Sequence, residues 1–590
     1  MSKHPPKKRL RRVLLTLLSL LVVAGLLLMW QTHRMEKSAF RLAEVGRTVS
    51  KSFSEMAHGI KALDPTVVTA FYADSYKNEA QGSWTETLDN EADGVRVFAW
   101  SEEEPRVYAK ADMDKTVTDL LNSFASVHFA KFKLSGMEQL TSDKRASVRA
   151  TLWLRGKRDV GDFEIQAHFL MDLSRAGEHW QITRQKLLRG KTVIGSGSGF
   201  TDIVAQAGLA DVRLKYNPMF NVDPDWTLDG FPIVQYSSAG VSAADYDGDG
   251  WDDLFFPNGA AAQLFRNQGD GTFKDVTVEA GLTDNLIAVN VGVFADLDND
   301  GDQDLFVGRF TLGNKLFANN GDGTFTDVSD GTDLTGPIVA VASASDYDND
   351  GDLDLYLGRY LDPRTDLPDT PFYTRNGVPN TLLRNDGNFK FTDVTQAAGV
   401  GDVGLSLGTA WADYDKDGDQ DLYVANDFGR NTLYRNNGDG TFADISEEAG
   451  AIDLGFGMSA SWGDVDDDGD LDIYVANVHS GQRWYGQAPT LKNYVINSIQ
   501  QGTFRADLPL YKELLHYLGP NWSSAGDHII KGNSLLLNDG SGHFEDVSVA
   551  SNSNPFGWYW GSTFYDFDND GDQDIYSANG WITATSKDDY

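Results

Sequence analysis

The chain has 590 residues, 41% hydrophobic and 12% aromatic, enough for two to four domains with substantial cores. Its 87 acidic residues against 50 basic ones leave a net charge of −37, which argues against a nucleic-acid partner, since backbone phosphates would be repelled. The absence of cysteine excludes disulfides, thiolate metal sites and cysteine nucleophiles.

The leader at 1–12 carries six Lys/Arg, and Val13 to Trp30 then runs 18 residues without a charge. At 1.5 Å per residue that run is about 27 Å as a helix, enough to span a bilayer. No small-x-small cleavage site follows it, so an uncleaved signal anchor is expected. The basic leader stays cytoplasmic and the bulk is extracytoplasmic, periplasmic or extracellular. The chain is then a single-pass membrane protein.

Leu42, Val45, Val49, Phe53, Met56 and Ile60 recur every three or four residues, which predicts a helical stalk over 36–62. A second helix is expected at 64–76, with Asp64 as N-cap and Pro65 at its first position, and a third at 114–127. From about 128 the texture turns to alternation, predicting strands in 128–140, 145–157, 162–173 and 179–189. Helices followed by a long-stranded antiparallel sheet indicate a small α+β domain over 63–194. Its order and the phrase "VTAFYADSY" resemble the nuclear-transport-factor-like (SnoaL-like) cone fold. The resemblance implies either a small-ligand cup or a module for homodimers. "GSGSG" at 195–199 reads as a flexible linker.

The rest of the chain, 200–590, is a repeat. An aspartate cluster begins at 245, 296, 346, 413, 464 and 566. A second block of the type "LYRNNGDGTFADI" begins at 264, 316, 382, 433 and 535. The spacings within units place insertions near 361–376 and 480–531, so no unit is missing. Each unit reads as four strands, the last two flanking an Asn-Gly or Asp-Gly turn. Four-stranded units at a period of about 50 residues indicate a β-propeller. The region starts with half a unit, "GFTDIVAQAGL" at 199–209, and ends with half a unit, so the two halves are expected to complete one blade and close a six-bladed ring. The fold class is therefore mainly β: a multi-bladed propeller behind an anchor helix and an α+β cone-like domain.

The cluster pattern is Asp-x-Asp-x-Asp-Gly-x-x-Asp. Carboxylates at positions 1, 3, 5 and 9, a turn glycine at 6 and the carbonyl of position 7 match what one calcium ion needs from a loop. The candidate ligands are Asp245, Asp247, Asp249, Trp251 and Asp253; Asp296, Asp298, Asp300, Asp302 and Asp304; and Asp346, Asp348, Asp350, Asp352 and Asp354. In the later units they are Asp413, Asp415, Asp417, Asp419 and Asp421; Asp464, Asp466, Asp468, Asp470 and Asp472; and Asp566, Asp568, Asp570, Asp572 and Asp574. Position 7 offers only its carbonyl, and its side chain is expected to face water. About six Ca2+ ions follow. An EF-hand is excluded, because position 12 is Phe256, Val307, Leu357, Val424, Val475 or Ser577 instead of Glu. No histidine falls in a cluster, which disfavours zinc.

These loops, the second blocks and phrases such as "VANDFGRNTL" at 424–433 resemble the FG-GAP/VCBS repeats of integrin alpha-chain propellers and of the cartilage acidic protein and ASPIC/UnbV group. The resemblance covers about 199–582 and implies a calcium-stiffened propeller used for adhesion or for binding protein or glycan. The "FG…GAP" phrase itself is degraded to "FVGRF" or "YLGRY", and the chain ends at "SKDDY", which leaves six blades and a shortened seven as the two counts. A non-enzymatic binding protein is expected. The alternatives are a scaffold subunit of an envelope complex and a propeller-based polysaccharide-degrading enzyme, for which His479, His516 and His528 are the cluster to watch. Neither H-E-x-x-H nor a Walker loop is present.

Overall fold

Val45, Val49, Phe53, Met56 and Ile60 are all buried along one side of helix α1, 44–61. The structure is a computed structural model, and it describes residues 41–78, 84–195, 202–210, 240–479, 508–518 and 529–580 apart from short stretches within these spans. The described residues divide into two compact units with the boundary at 201/202. The anchor expected at 13–30 lies outside the described residues, among which no helix is long and apolar enough to cross a membrane.

In the first unit α1 is not a free stalk. The Phe53 ring stacks on Phe132 with centroids 4.6 Å apart, and the Trp180 indole donates to Thr48 at 2.9 Å. A stripe recurring every three or four residues says that one face is covered, and here the cover is the sheet. Helix α2 (Pro65–Thr69) begins as expected, with Asp64 accepting from the backbone N–H groups of Thr66 and Val67. It stops well short of 76 because Tyr72 bridges to Ile182 and the chain joins the sheet. Between them and the third helix lie β1 (Lys77–Asn78), the hairpin β2 (Trp84–Ala92) and β3 (Val95–Glu102), and β4 (Tyr108–Ala109), which pairs with β1. Helix α3 (Lys110–Asn122) ends five residues before its expected limit, giving way to β5 (Ser126–Ser142). β6 (Arg145–Arg158), β7 (Gly161–Ala176) and β8 (His179–Gly195) follow, and the sheet order is β2-β3-β8-β7-β6-β5. Phe163, Ile165, Ala167, Phe169, Met171 and Leu173 alternate onto the helix-covered face, the period of two that fixes register. Hairpin β2–β3 was not expected, because "TETLDNEADG" carries too many acidic residues to read as a strand pair.

The second unit consists of repeated antiparallel four-stranded sheets. The first sheet contains β9 (Ser242–Ala244), β10 (Asp253–Phe256), β11 (Gln263–Asn267) and β12 (Phe273–Asp275). The second contains β13 (Val289–Ala295), β14 (Asp304–Arg309), β15 (Lys315–Asn319) and β16 (Phe325–Asp327), and the third β17 (Val339–Ser345), β18 (Asp354–Arg359), β19 (Thr381–Asn385) and β20 (Phe391–Asp393). The fourth contains β21 (Leu405–Ala412), β22 (Asp421–Asp427), β23 (Thr432–Asn436) and β24 (Phe442–Asp444). In the fifth, β25 (Ser459–Gly463) and β26 (Asp472–Ala476) are separated by β27 (Val478–His479) and helix α4 (Leu508–Leu518) from β28 (Ser534–Asn538) and β29 (Phe544–Asp546). The last sheet has three strands, β27, β30 (Gly557–Tyr565) and β31 (Asp574–Asn579).

The first strands pack on one another in succession, β9 on β13, β13 on β17, β17 on β21, β21 on β25 and β25 on β30. Small residues line these seams because the sheets approach closely: a Cβ on Gly292 would lie 2.4 Å from the Phe255 ring. Each apolar core sits between two neighbouring sheets, as with Phe255, Leu264, Leu305, Val307 and Phe317. The middle sheets are covered on both faces, so β14, β18 and β22 are buried at every position, and between their polar ends the residues read as a continuous apolar run.

The leading half-unit takes its expected place in the repeat. The backbone N–H of Phe273 donates to Ala207 O at 2.8 Å, as Phe325 does to Ala280 at 2.9 Å and Phe544 to Ala449 at 2.7 Å. The expected closure of the ring is not found: among the described residues β31 pairs only with β30, and Asp574 and Tyr576 are exposed where their counterparts in the other sheets are buried.

The packing of α1 gives a direct test. Phe53→Ala in the full chain is expected to lower the stability of the first unit by about 3–5 kcal/mol, read as an earlier denaturation step with the second unit's step unmoved. An unchanged first step would mean a free stalk.

Candidate metal centres

Each aspartate cluster links the first strand of a sheet to the second, and one set of hydrogen bonds recurs in the loops, except that in the fourth Asp413 accepts from Gly418 but not from position 5. The carboxylate at position 1 accepts from the backbone N–H of positions 5 and 6: Asp346 from Asp350 at 3.1 Å and Gly351 at 3.0 Å, Asp464 from Asp468 at 3.1 Å and Gly469 at 2.9 Å. Position 5 accepts from position 7, as Asp350 does from Asp352 at 2.9 Å. The turn needs a left-handed backbone at position 6, where Gly351 has φ +93°, and at position 4, where Asn299 has +61°, Asn349 +58° and Lys416 +61°.

Position 9 opens the second strand and is buried in the first five sheets, as Asp253, Asp304, Asp354, Asp421 and Asp472. One of its oxygens accepts from the N–H of position 2, such as Tyr347 to Asp354 at 3.1 Å. The other accepts from an asparagine N–H in the third strand, such as Asn385 to Asp354 at 2.8 Å and Asn436 to Asp421 at 2.7 Å. Burial raises these carboxyls to about 6 for Asp253 and Asp472, about 7 for Asp304 and Asp354, and about 8 for Asp421. At position 3, Asp247, Asp298, Asp348 and Asp415 are raised first by burial and then by the neighbouring carboxylate at position 5.

The loops gather carboxylate oxygens tightly. Asp245, Asp247 and Asp249 bring one oxygen each within 4.8 Å of one another, as do Asp296, Asp298 and Asp300. Asp346, Asp348 and Asp354 form a third group, Asp413, Asp415 and Asp421 a fourth, and Asp464, Asp466 and Asp472 a fifth. Buried oxygens of Asp247, Asp348, Asp413 and Asp415 have no hydrogen-bond partner. A buried carboxylate oxygen left bare is costly. An all-oxygen set with orphaned lone pairs turned inward fits a hard divalent cation. In the sixth cluster Asp568 lies outside the described residues, while Asp566 and Asp574 keep the loop's internal bonds.

Position 7 differs from expectation. Its side chain does not simply face water. Asp352 Oδ1 accepts from Asn299 Nδ2 of the preceding loop at 2.5 Å, and Asp419 Oδ1 from Asn349 Nδ2 at 2.8 Å. Asp470 pairs with Lys416 at 2.6 Å. Trp251 takes this position in the first loop, with its ring exposed.

Sequence reasoning also missed the asparagine of the third strand. Asn319 Nδ2 donates to Gln303 O at 3.0 Å within its sheet and to Tyr246 O of the previous loop at 2.7 Å. Asn385 does the same to Leu353 and Leu297, and Asn436 to Gln420 and Tyr347. The signal was present: every second block carries Asn at this place, as Asn267, Asn319, Asn385, Asn436 and Asn538.

The histidines do not assemble into a catalytic group. His516 lies on α4 with its ring 3.0 Å from Glu447, His479 sits in β27, and His528 lies outside the described residues. Residues 404–408 read Gly-Leu-Ser-Leu-Gly, but Ser406 is buried in β21 with its hydroxyl held between Asn380 and Asn426. It is a core hydroxyl and not a nucleophile.

The model of the FG-GAP-like repeat matches residues 245–307, 296–357, 413–475 and 522–577. The chain carries FG-GAP-like repeats. It is also similar to cartilage acidic protein 1, at 27% identity over 312 residues in Mus musculus and 27% over 262 residues in Homo sapiens. These stretches cover 49% and 41% of this chain and 47% and 39% of the relatives, so the chain spans less than half the length of the curated relatives it matches. Among solved structures, an Agrocybe aegerita lectin described as recognising non-reducing terminal N-acetylglucosamine aligns at a TM-score of 0.30 and 14% identity, over 75% of this chain and 86% of the lectin. The Kfla4162 protein of Kribbella flavida aligns at a TM-score of 0.18 and 13% identity, over 26% of this chain and 92% of its own. Three of the FG-GAP-like matches run from position 1 of one loop to position 12 of the next, so each of them spans two loops and the sheet seam between them.

Two outcomes follow from the loops. The position-9 carboxyls sit above the ordinary carboxylate range of about 4, so the folded state holds their protons more tightly than the unfolded chain. That stability is complete below about pH 4 and is lost as pH rises through about 6–8. In chelator the melting temperature should therefore fall between pH 5 and pH 8.5, and saturating calcium should flatten the profile; a flat profile in chelator would refute the buried-proton picture. Separately, Asn385→Ala strands the buried Leu297 carbonyl and the half-buried Leu353 carbonyl and is expected to cost about 1–3 kcal/mol in urea unfolding even with calcium saturating.

Proposed function

We propose that this chain is a membrane-tethered, extracytoplasmic binding protein whose FG-GAP-like repeats form calcium-stiffened propeller blades and whose partner, a protein or a glycan, docks on the side away from the calcium loops. The carrying observation is where the insertions emerge. β18 and β26 each start at a metal loop and run away from it, and both insertions leave from the far ends of these strands, before β19 and β28. They meet there: the Tyr373 hydroxyl donates to Glu513 Oε2 of α4 at 2.8 Å, and Arg375 pairs with the other oxygen of Glu513. A propeller held at one rim by cations and elaborated at the other separates stability from recognition.

Six Ca2+ ions are the reading of the six loops, five of which gather carboxylates among the described residues. Calcium supplies charge neutralisation there, and the chain's carboxylates hold the loop turn and the start of the second strand. The family likeness and the arrangement of the loop carboxylates support a non-enzymatic role. The first unit is read as a nuclear-transport-factor-like module able to pair two copies of the chain. The basic leader and the apolar run at 13–30 support the tether.

Binding of the full chain, in detergent or nanodiscs, to arrays of glycans and matrix proteins tests this reading. Glu513→Ala combined with Tyr373→Phe should weaken binding at least tenfold while the calcium-dependent melting temperature stays within about 2 °C. Loss of binding only on changes at the calcium-loop rim would overturn it.

A further inference from the structure

Position 4 of each loop reaches position 7 of the next loop along the array. Asn299 Nδ2 donates to Asp352 Oδ1 at 2.5 Å and to Gly351 O at 3.1 Å. Asn349 Nδ2 repeats this on Asp419 Oδ1 at 2.8 Å and Gly418 O at 3.5 Å. At the next junction the donor is an ammonium, Lys416 Nζ to Asp470 at 2.6 Å. The ladder stops at both ends for chemical reasons. In the first loop position 4 is Gly248, which has no side chain to donate. In the fifth it is Asp467, whose side chain carries no N–H to donate; that junction is bridged instead by the backbone N–H of Asp464, which donates to Gln573 Oε1 at 3.1 Å.

We infer that the second to fifth loops bind calcium as one cooperative block, with the first and sixth loops, which lack a position-4 donor at their junctions, coupled to it more weakly. The inference rests on the calcium reading of the loops and adds coupling between them. Position 4 lies between two ligand residues in a left-handed conformation, so an ion held by positions 3 and 5 fixes the backbone that carries the donor. That donor in turn holds the side chain of position 7 in the next loop, and at the two asparagine junctions also the carbonyl of position 6, and so fixes the residue whose own carbonyl is a ligand. Ordering one loop removes part of the entropy that its neighbour must lose on binding, which is positive cooperativity by rigidification. The effect is reciprocal along the ladder. One or two exposed hydrogen bonds per junction make the coupling modest, on the order of 2–10-fold in affinity.

Calorimetric calcium titration of the full chain tests this, with hydrogen exchange of each loop as a second readout. The wild type should bind more steeply than independent sites, with a Hill coefficient of about 1.5, and the second to fifth loops should gain protection at one calcium concentration. Asn349→Ala should split the block, lower the Hill coefficient towards 1 and separate the midpoints of the third and fourth loops. Asp467→Asn and Gly248→Asn should act in the opposite direction, bringing the sixth and first loops into the block. Gly248 has φ +70°, close to the +61° at Asn299, and nothing lies within 4 Å of a Cβ placed there, so both gain variants should fold. Independent sites in the wild type, or gain variants that leave the midpoints of the first and sixth loops unmoved, would overturn the coupling while leaving the calcium reading intact. Absence of any calcium heat would overturn the calcium reading itself.

Discussion

One buried carboxylate in each complete sheet holds the second unit together. The aspartate at position 9 begins the second strand, and its two oxygens tie that strand to the loop behind it and to the third strand beside it, as Asp354 does between Tyr347 and Asn385. A carboxylate in that position is unfavourable when ionised and bare. It survives because two backbone N–H groups point at it and because three more carboxylates crowd the same loop, so that a proton or a cation has to be present. The charge excess of the chain and the order of its strands thus have one origin.

The asparagine of the third strand extends this from one sheet to the next. Its backbone N–H serves the aspartate of its own loop, and its side chain donates both within the sheet and to the carbonyl at position 2 of the preceding loop. Neighbouring sheets are joined by polar stitching at the loop rim and by apolar packing behind it. Buried on both faces, the middle strands have no polar side to show, which is why Leu305, Phe306 and Val307 lie in an unbroken run. At β31, which among the described residues pairs only with β30, the same residue pattern is exposed, and Tyr576 stands open where Tyr423 is fully buried. Burial here comes from the neighbouring sheet and not from the residue type.

The two units differ in how far they could be read. In the second, the loops, the turns and the insertions came directly from repetition, since six copies of one pattern leave little room for chance. Strand limits followed because Asp at position 9 both ends the loop and starts the strand. In the first unit no repeat exists. Four long strands were evident from alternation, but hairpin β2–β3 was hidden by Glu86, Asp89, Glu91 and Asp93. The apolar stripe of α1 was legible as a helix face, yet nothing local said that Phe132 and Trp180 would cover it.

The sequence by itself determined the repeat period, the aspartate loops, their oxygen-only chemistry and the positions of both insertions, because each depends on residues within about twenty positions of one another. Only the tertiary structure decided the cross-loop contacts of Asn299, Asn349 and Lys416, the double duty of the third-strand asparagines and the docking of α1. These join residues from about 50 to more than 120 positions apart. No local pattern encodes which partner such a side chain will find; that is settled by how the sheets stack.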